Sequence, residues 1–210
     1  MGDNYMKIIK PSFEFVEKID PKAIMKKVER AGRLCYKSED KIAEGTAEQF
    51  LSRIVKAGHE SVLEHASISI IITCDRGVTH EIVRHRIASY SQESTRYCNY
   101  SLGKFGSELT FIKPCFWEED SNEYKIWLGT MQTIENDYNM LIENGATAER
   151  ARSILPNSLK TEICVTMNLR AWRHFFKLRC HPSSHPQMVE IAKIIQAEFA
   201  KLLPEIFGDL

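Results

Sequence analysis

The isoleucine-rich run from Ala66 to Cys74 is the feature that most constrains how this chain can fold. Its composition predicts a buried β-strand, because β-branched side chains fit a pleated and largely covered surface. Residues 59–65 (HESVLEH), directly before it, are crowded with ionisable groups. Such groups are expected where the end of a buried strand opens onto a cleft. An ordinary polar connector with two hydrogen-bonded histidines is the alternative interpretation.

Other segments carry the periodicity of helices or strands. Asp20 and Pro21 predict a helix start, and apolar residues at steps of three and four continue this helix to Cys35. A long helix is predicted from about residue 119 to 145. Together with strand patterns at 109–113 and 161–167 and an edge strand within 6–17, these signals predict an α+β fold. We expect a single domain, residues 1–210, with a small mixed or antiparallel sheet flanked by helices.

Local capping signals predict where several helices begin and end. Thr46 and Gln49 match a capping box, and Gly58 is expected to end that helix. Further predicted elements are a helix over 78–88 after a turn at 75–77, a loop through Gly103 and Gly106, a short helix capped by Thr147, a helix over 169–179 capped by Asn168, and a final helix from about Met188 to Leu202.

A dense group of cations lies in residues 84–97 (RHRIASYSQESTRY), here called the arginine segment. It contains three arginines and one histidine against a single acid, Glu93. Guanidinium groups match the oxygens of a phosphate and keep their charge, and hydroxyl or loop N–H groups can complete an anion site. A solvated surface helix followed by a polar loop would have the same composition. The segment therefore predicts an anion-binding site, with that alternative open.

The overall charge favours a small ligand over a polymer. The 210 residues include 28 Lys and Arg and 28 Asp and Glu, so the formal net charge is zero. Proteins that grip a nucleic-acid backbone are usually basic overall or carry a basic stripe. Here the positive charge is concentrated locally, and we expect no nucleic-acid partner.

The cysteines and the apolar runs indicate the cellular compartment in which the protein is expected. The six cysteines form no Cys-x-x-Cys pair and no signal peptide precedes them, so they are expected to be free thiols in a cytoplasmic protein. The most apolar run, 68–72, is too short to span a bilayer, and we expect no membrane partner.

His80 and His85 resemble a zinc-binding His-Glu-x-x-His motif with one residue too many. On a helix they would lie about 140° apart, so no metal site is predicted.

The spacing within the arginine segment is more specific than its composition. Arg84-His85-Arg86, seven further residues, Ser94 and then x-Arg-Tyr closely resemble the signature of the flavin-dependent thymidylate synthases. The resemblance extends from about residue 30 to 190. It also includes residues 59–65, Ala151-Arg152 before Leu155-Pro156, Asn168-x-Arg170, Leu178-Arg179 and His185.

This resemblance implies an activity, a cofactor and an assembly. Members of the family methylate dUMP reductively to dTMP, with 5,10-methylenetetrahydrofolate as carbon donor and NADPH as electron source. Bound FAD carries the hydride. The members are homotetramers whose active sites are assembled from several subunits. By resemblance, the chain is expected to be an FAD-dependent, NADPH-dependent methyltransferase that acts on dUMP as a homotetramer with shared active sites.

The resemblance also implies site residues. It places FAD against Ser61, Arg84, His85, Arg86, Gln92, Asn168, Arg170 and His174, with Glu64 and His185 as further candidates. It places dUMP against Glu81, Arg84, Gln92, Ser94, Thr95, Arg96, Arg152 and Arg179. Arg179 is expected to be catalytic, because a fixed guanidinium would stabilise an anionic uracil ring. Compared with some members, Gln92 replaces Glu, Glu81 replaces Gln, His174 replaces Asn, and Cys35 stands where a serine can contact the cofactor.

Two other functions stay open on the sequence. The arginine segment could be the stacking groove of a module that binds single-stranded nucleic acid. That hypothesis predicts no bound flavin and oligonucleotide binding that weakens strongly with salt. A flavoprotein of another specificity would be yellow, but its spectrum would not respond to dUMP.

Overall fold

The computed structural model describes residues 6–100 and 108–210, so the predicted loop at Gly103 and Gly106 lies outside the described residues. The chain forms two compact units. The first unit contains Met1–Ser12, Ile72–Val83 and Ser91–Ile163. The second contains Phe13–Ile71, Arg84–Tyr90 and Cys164–Leu210. Each unit has its own core.

Two short strands pair in parallel in the first unit. They are Lys7–Ile9 (β1) and Thr110–Ile112 (β5), with Ile8 opposite Phe111. The predicted strand at 109–113 is therefore confirmed. The strand predicted within 6–17 is present but divided, because Pro11 interrupts it and the residues beyond it join another sheet.

Four further strands, Ser12–Phe15 (β2), Ser67–Asp75 (β3), Ser89–Gln92 (β4) and Lys160–Asn168 (β6), form a sheet in the order β2-β3-β6-β4. The strand predicted at 66–74 is confirmed. The alternation predicted at 161–167 is also confirmed, since Ile163, Val165 and Met167 are buried. Strand β4 lies inside the arginine segment and was not predicted. Small sheets flanked by helices give the expected α+β class.

The helices are Pro21–Leu34 (α1), Thr46–Lys56 (α2), Arg76–Ile82 (α3), Asn122–Glu143 (α4), Ala148–Ala151 (α5), Leu169–Arg179 (α6), Pro186–Leu202 (α7) and Pro204–Phe207 (α8). Short 3-10 helices occupy Glu39–Lys41, Glu60–His65 and Arg152–Ile154. The long helix predicted at 119–145 and the final helix near 188–202 are confirmed as α4 and α7. Helix α8 was not predicted.

The helix caps agree with the sequence in part. Asp20 accepts a hydrogen bond from the Ala23 N–H at 3.0 Å, and Asn168 accepts one from the Ala171 N–H at 2.8 Å, as expected. Asp75 accepts from the Val78 N–H at 2.8 Å. The predicted turn at 75–77 is therefore wrong, because this hydrogen bond starts α3 there.

Two other predicted boundaries are wrong. Gly45, with φ of +77°, is the N-cap of α2, so Thr46 lies inside the helix and its hydroxyl bonds back to Ala43. Helix α3 ends at Ile82 and not at residue 88. The predicted start at Thr147 is confirmed, since Thr147 is the N-cap of α5, although its side chain makes no capping hydrogen bond. The predicted stop at Gly58 is confirmed, since α2 ends at Lys56 and Gly58 has φ of +73°.

Aromatic side chains fill the core of the second unit. Trp172 on α6 packs against Phe199 on α7 with ring centroids 5.1 Å apart, and Phe199 lies 5.2 Å from Phe207 on α8. Trp172 also donates its indole N–H to the Ile68 carbonyl of β3 at 3.0 Å. Because the Leu169 N–H donates to the Ala66 carbonyl as well, α6 is fixed against the start of β3.

Helix α4 organises the core of the first unit. Its buried face includes Trp127, Met131 and Tyr138. Glu135 on the same face is 3% exposed and accepts a hydrogen bond from the Leu109 N–H at 2.7 Å. Burial raises the pKa of Glu135. This carboxylate thus satisfies a buried backbone donor just before β5.

The described chain also bears on the expectations about membrane-spanning helices and about the cysteines. No helix in residues 6–100 or 108–210 is long and apolar enough to cross a bilayer. The six cysteines are all free thiols, as predicted.

Two neighbouring isoleucines on α7 offer a matched test of this core. Ile195 is fully buried, whereas Ile194 is 41% exposed. Ile195→Ala should lower the free energy of unfolding by about 2–5 kcal/mol, because it leaves a cavity. Ile194→Ala should cost less than about 1 kcal/mol. Urea unfolding of both variants measures the difference, and equal losses would contradict the packing described here.

Candidate active site

A cavity of about 680 Å³ in the second unit collects most of the residues predicted to hold the cofactor. The 3-10 helix Glu60–His65, residues 84–87 and one face of α6 meet there. Ligand pockets usually measure ~300–1,000 Å³, so the volume suits a bound ligand. The cavity, here called the first cavity, is lined by Glu60, Glu64, Arg84, His85, Arg86, Ile87, Asn168, Arg170, Ala171, His174 and Lys177.

The first cavity is electropositive. Its two carboxylates are already paired, Glu64 with Arg170 at 2.6 Å and Glu60 with Lys177 at 3.4 Å. Neither Arg84 nor Arg86 forms an ion pair with a carboxylate of the described chain. The N-terminus of α6 adds the positive end of its dipole beside these charges. The arrangement suits an anionic ligand.

A buried arginine holds Glu60 at the edge of the first cavity. Arg173 is 2% exposed and donates its Nε–H to Glu60 Oε1 at 2.9 Å. Its terminal nitrogens donate to Asp209 at 2.6 and 2.7 Å. Burial alone would raise the pKa of Glu60, but the hydrogen bond from Arg173 and the charge of Lys177 outweigh it and lower that pKa. Glu60 therefore stays ionised and its charge is paired.

His85 is the buried member of the arginine segment at this cavity, with 8% of its surface exposed. Arg179 donates its Nε–H to His85 Nε2 at 3.0 Å. Burial, with help from the positive charge of Arg179 and from His174, lowers the pKa of His85 from 6.5 to about 4. At neutral pH the imidazole is therefore uncharged, and its Nε2 is a hydrogen-bond acceptor.

A second cavity of about 1,010 Å³ lies in the same unit, along α1, α2 and the 3-10 helix Glu60–His65. Ser61, predicted to contact the cofactor, lines this second cavity, as does Cys35. Glu60 and Arg170 line both cavities. The two cavities are therefore neighbours. A ligand in the first cavity would lie close to the second cavity, which Ser61 lines.

In the first unit, buried threonine hydroxyls accept hydrogen bonds from Gln92 of the arginine segment. Gln92 donates its amide N–H groups to Thr79 at 3.1 Å and to Thr161 at 3.3 Å. Both threonines are buried, and Thr95 on the segment is buried as well. Gln92, predicted to touch both FAD and dUMP, is thus held in place by two neighbouring elements.

The only acid of the arginine segment is neutralised inside the first unit. Glu93 accepts hydrogen bonds from Lys160 at 3.0 Å and from the Tyr100 hydroxyl at 2.8 Å. Burial and the nearby Glu93 charge raise the pKa of Tyr100, so its hydroxyl stays a donor. Glu93 is therefore paired with Lys160 and forms no ion pair with the arginines of the segment in the described chain.

The residues predicted to hold the phosphate of dUMP are also in the first unit. Arg96 pairs with Glu149 on α5 at 3.0 Å, and both side chains are about half exposed. Arg152 is exposed and begins the 3-10 helix three residues after Glu149. Ser94 accepts a hydrogen bond from the Arg96 N–H at 3.3 Å. Arg152 thus follows, by about one helical turn, the residue that pairs with Arg96.

The predicted site residues fall into two groups. The second unit contains Arg84, His85, Arg86, Asn168, Arg170 and His174 at the first cavity, Arg179 bonded to His85, and Ser61 at the second cavity. The first unit contains Glu81, Gln92, Ser94, Thr95, Arg96 and Arg152. His185 caps α7 by accepting from the Gln187 N–H at 3.4 Å, and is not among the described residues lining either cavity.

Lys177 and Glu60 also line the first cavity, and neither was singled out as a site residue from the sequence. Lys177 follows Arg170 by seven residues, which returns to the same stripe of a helix. That spacing is the signal that could have found it. Glu60 lies in the ionisable run 59–65 that was expected to border a cleft, but its partner Arg173 is 113 residues away and leaves no local signal.

The fold is shared with a solved nucleotide methylase. The chain superposes on a UMP/dUMP methylase from Streptomyces cacaoi, solved with 5-Br dUMP, with a TM-score of 0.76 over 97% of this chain and 96% of that one. The sequence identity is 23%, so this likeness defines the class of fold.

The sequence itself places the chain in a family. The family model of the thymidylate synthase complementing protein matches residues 19–205. A flavin-dependent thymidylate synthase from Pyrococcus furiosus is 41% identical over 171 residues, which are 81% of this chain and 69% of the relative. One from Geobacter sulfurreducens is 36% identical over 197 residues, covering 90% and 82%. The chain belongs to this family.

The depressed pKa of His85 predicts a pH effect on stability. Below pH 6.5 the unfolded chain binds a proton at this histidine, whereas the folded chain binds it only below about 4. The free energy of unfolding should therefore fall as the pH drops through that window. Between pH 7 and 5 the natural protein should lose about 1–2 kcal/mol more than His85→Gln, allowing for solvent screening at the cavity. Urea unfolding at both pH values measures this. Equal losses would contradict the neutral imidazole.

Proposed function

We propose that the protein is a flavin-dependent thymidylate synthase that methylates dUMP reductively to dTMP. FAD is its cofactor, 5,10-methylenetetrahydrofolate its carbon donor and NADPH its source of electrons. Family membership supports the reaction. The observation that carries the site assignment is the first cavity, because six of the eight residues predicted to hold FAD line it.

The residues of the first cavity fit a dinucleotide that carries phosphate. Arg84, Arg86 and Lys177 would hold the anionic part next to the N-terminus of α6. Asn168 and His174 would contact the rest of the cofactor, and Ser61 would reach it from the second cavity. Bound flavin would supply hydride transfer, while the protein orients the ring and excludes water.

Arg96 and Arg152 would hold the phosphate of dUMP in this proposal. A charge-assisted hydrogen bond contributes about 1.5–3 kcal/mol, so two guanidinium groups suffice for micromolar affinity, about −8 kcal/mol, after ordering costs. Ser94 and Thr95 would complete the phosphate contacts. Glu149 must give up or share Arg96 when the phosphate arrives, since it pairs with that side chain in the described structure.

Arg179 would act at the uracil ring. Its guanidinium stabilises negative charge that develops on the ring when N3 is polarised, and it is partly buried beside His85. Glu81, Arg84 and Gln92 would contact the nucleotide as well. Of these, Gln92 is already fixed by Thr79 and Thr161, which would hold its side chain in position.

The same proposal includes the organisation of the protein. We propose that residues 1–210 act as one catalytic domain, in a cytoplasmic homotetramer whose subunits share active sites and which has no nucleic-acid partner. The relatives in the family support the shared reaction. Sedimentation of the flavin-loaded protein tests the assembly, and a monomer with full activity would contradict shared sites.

The reaction can be tested directly. The purified protein should absorb as a flavoprotein, and dUMP, methylenetetrahydrofolate and NADPH together should yield dTMP. Omission of any one of the three should abolish product. A colourless protein that binds oligonucleotides with a steep salt dependence would instead support the nucleic-acid-binding alternative.

Two neighbouring arginines give a matched test of the phosphate site. Arg152→Ala should raise the dissociation constant for dUMP about 10- to 100-fold, because it removes a charge-assisted contact. Arg150→Ala removes another exposed arginine, on α5, with no assigned role and should change the dissociation constant for dUMP less than about twofold. Titration of the flavin-loaded enzyme with dUMP compares them. Similar effects of both substitutions would reject the assignment of Arg152.

Arg179→Ala should separate catalysis from cofactor binding. Turnover should fall by at least about a thousandfold, because the negative charge on the ring loses its stabilising partner. The flavin should remain bound, since Arg179 is not among the residues lining the first cavity. Visible absorbance after gel filtration and dTMP formation measure the two properties. Loss of flavin in this variant would refute the role.

A further inference from the structure

We infer that His85 is a positioning residue for Arg179, holding the guanidinium at the uracil through the hydrogen bond between Arg179 Nε and His85 Nε2. This inference rests on the proposed function, because it concerns the arginine assigned to the ring. It gives His85 a role in addition to its expected contact with the flavin. The bond measures 3.0 Å and joins residues 94 positions apart in the chain.

Arg179 is the last residue of α6, and its hydrogen bond to His85 restricts where its side chain can point. An arginine side chain has about 2 kcal/mol of rotamer entropy and helix ends fray, so a fixed acceptor at this position narrows the range of orientations of the guanidinium. A hydrogen bond donated by Nε fixes the direction in which the Nε–H group points. It uses the single N–H of Nε and none of the four N–H groups on the two terminal nitrogens.

His85 is itself held on several sides. Its ring lies 5.0 Å from the ring of Phe175 and 5.6 Å from that of His174, both on α6. Its carbonyl oxygen accepts a hydrogen bond from the Tyr90 hydroxyl at 2.5 Å. Since both the ring and the backbone are fixed, the imidazole is a rigid acceptor at the side of Arg179.

The chemistry of the bond requires a neutral imidazole. Nε2 can accept from a guanidinium only when it carries no proton, and a protonated ring would repel Arg179. Burial, the charge of Arg179 and His174 keep the pKa of His85 near 4, so the acceptor is present at neutral pH. The remaining proton of the ring then resides on Nδ1.

His85 also lines the first cavity, between Arg84 and Arg86. The same imidazole therefore borders the proposed flavin site and contacts Arg179, the residue proposed to act at the uracil ring. Positioning of Arg179 and the shape of the flavin site thus depend on one side chain.

Two amide substitutions distinguish positioning from packing. The side-chain oxygen of Gln can occupy the place of Nε2 and accept from Arg179, whereas that of the shorter Asn reaches only the place of Nδ1. On flavin-loaded enzyme, His85→Asn should raise the dissociation constant for dUMP about tenfold. His85→Gln should restore affinity to within about threefold of the natural protein. His85→Leu, a second variant without an acceptor, should behave like His85→Asn.

A double-substitution cycle provides the decisive measurement, with each variant first checked by thermal melting. In an Arg179→Ala background, His85→Asn should change dUMP affinity less than about twofold, because the residue it positions is gone. Equal effects in both backgrounds, or a His85→Gln variant as weak as His85→Asn, would overturn the inference. If Arg179→Ala alone leaves dUMP affinity and turnover unchanged, the role proposed for Arg179 fails, and the inference fails with it.

Discussion

Two strands of the four-stranded sheet continue into helices without a loop, and the rest of the structure depends on how these junctions are held. Asp75 ends β3 and caps α3 through the Val78 N–H, and Asn168 ends β6 and caps α6 through the Ala171 N–H. Caps of this kind contribute about 0.5–2 kcal/mol. Because each capping residue is also the last residue of a strand, the first turn of each helix starts at a fixed point of the sheet. Helix α6 therefore presents Arg170, His174 and Lys177 to one cavity.

The early end of α3 has a similar consequence for the arginine segment. Residues two apart on a helix point about 200° apart, so a helix through 88 would have separated Arg84 from Arg86. In the turn and irregular stretch beyond Ile82, both line the first cavity. The pairing of Ser89–Gln92 in the sheet then sets the position of the segment that follows. Local periodicity favoured the longer helix, and this tertiary contact outweighed it.

Sequence analysis predicted those elements whose signals are local. The alternation in 161–167, the cap at Asn168 and the apolar stripe of α4 are each contained in a few neighbouring residues. The ion pairs around the candidate site depend on partners that are distant in sequence. Glu93 is neutralised by Lys160, and Glu60 by Arg173, and neither pairing leaves a trace in spacing. The same holds for His85, whose partner Arg179 comes near it only because α6 ends there. The flavin and dUMP residues came from resemblance to a family and remain proposals.

The ion pair between Arg96 and Glu149 bears on how selective a nucleotide site of this kind can be. Both groups are half exposed, so the pair contributes at most about 1 kcal/mol and opens readily. The guanidinium is paired in the described structure, so an incoming anion would exchange places with a carboxylate. A singly charged ion such as chloride or acetate gains little from that exchange. At the proposed phosphate site, a doubly charged phosphate ester would be attracted more strongly than the carboxylate it displaces, so the resident carboxylate would favour such an ester over the monovalent anions of the surrounding solution.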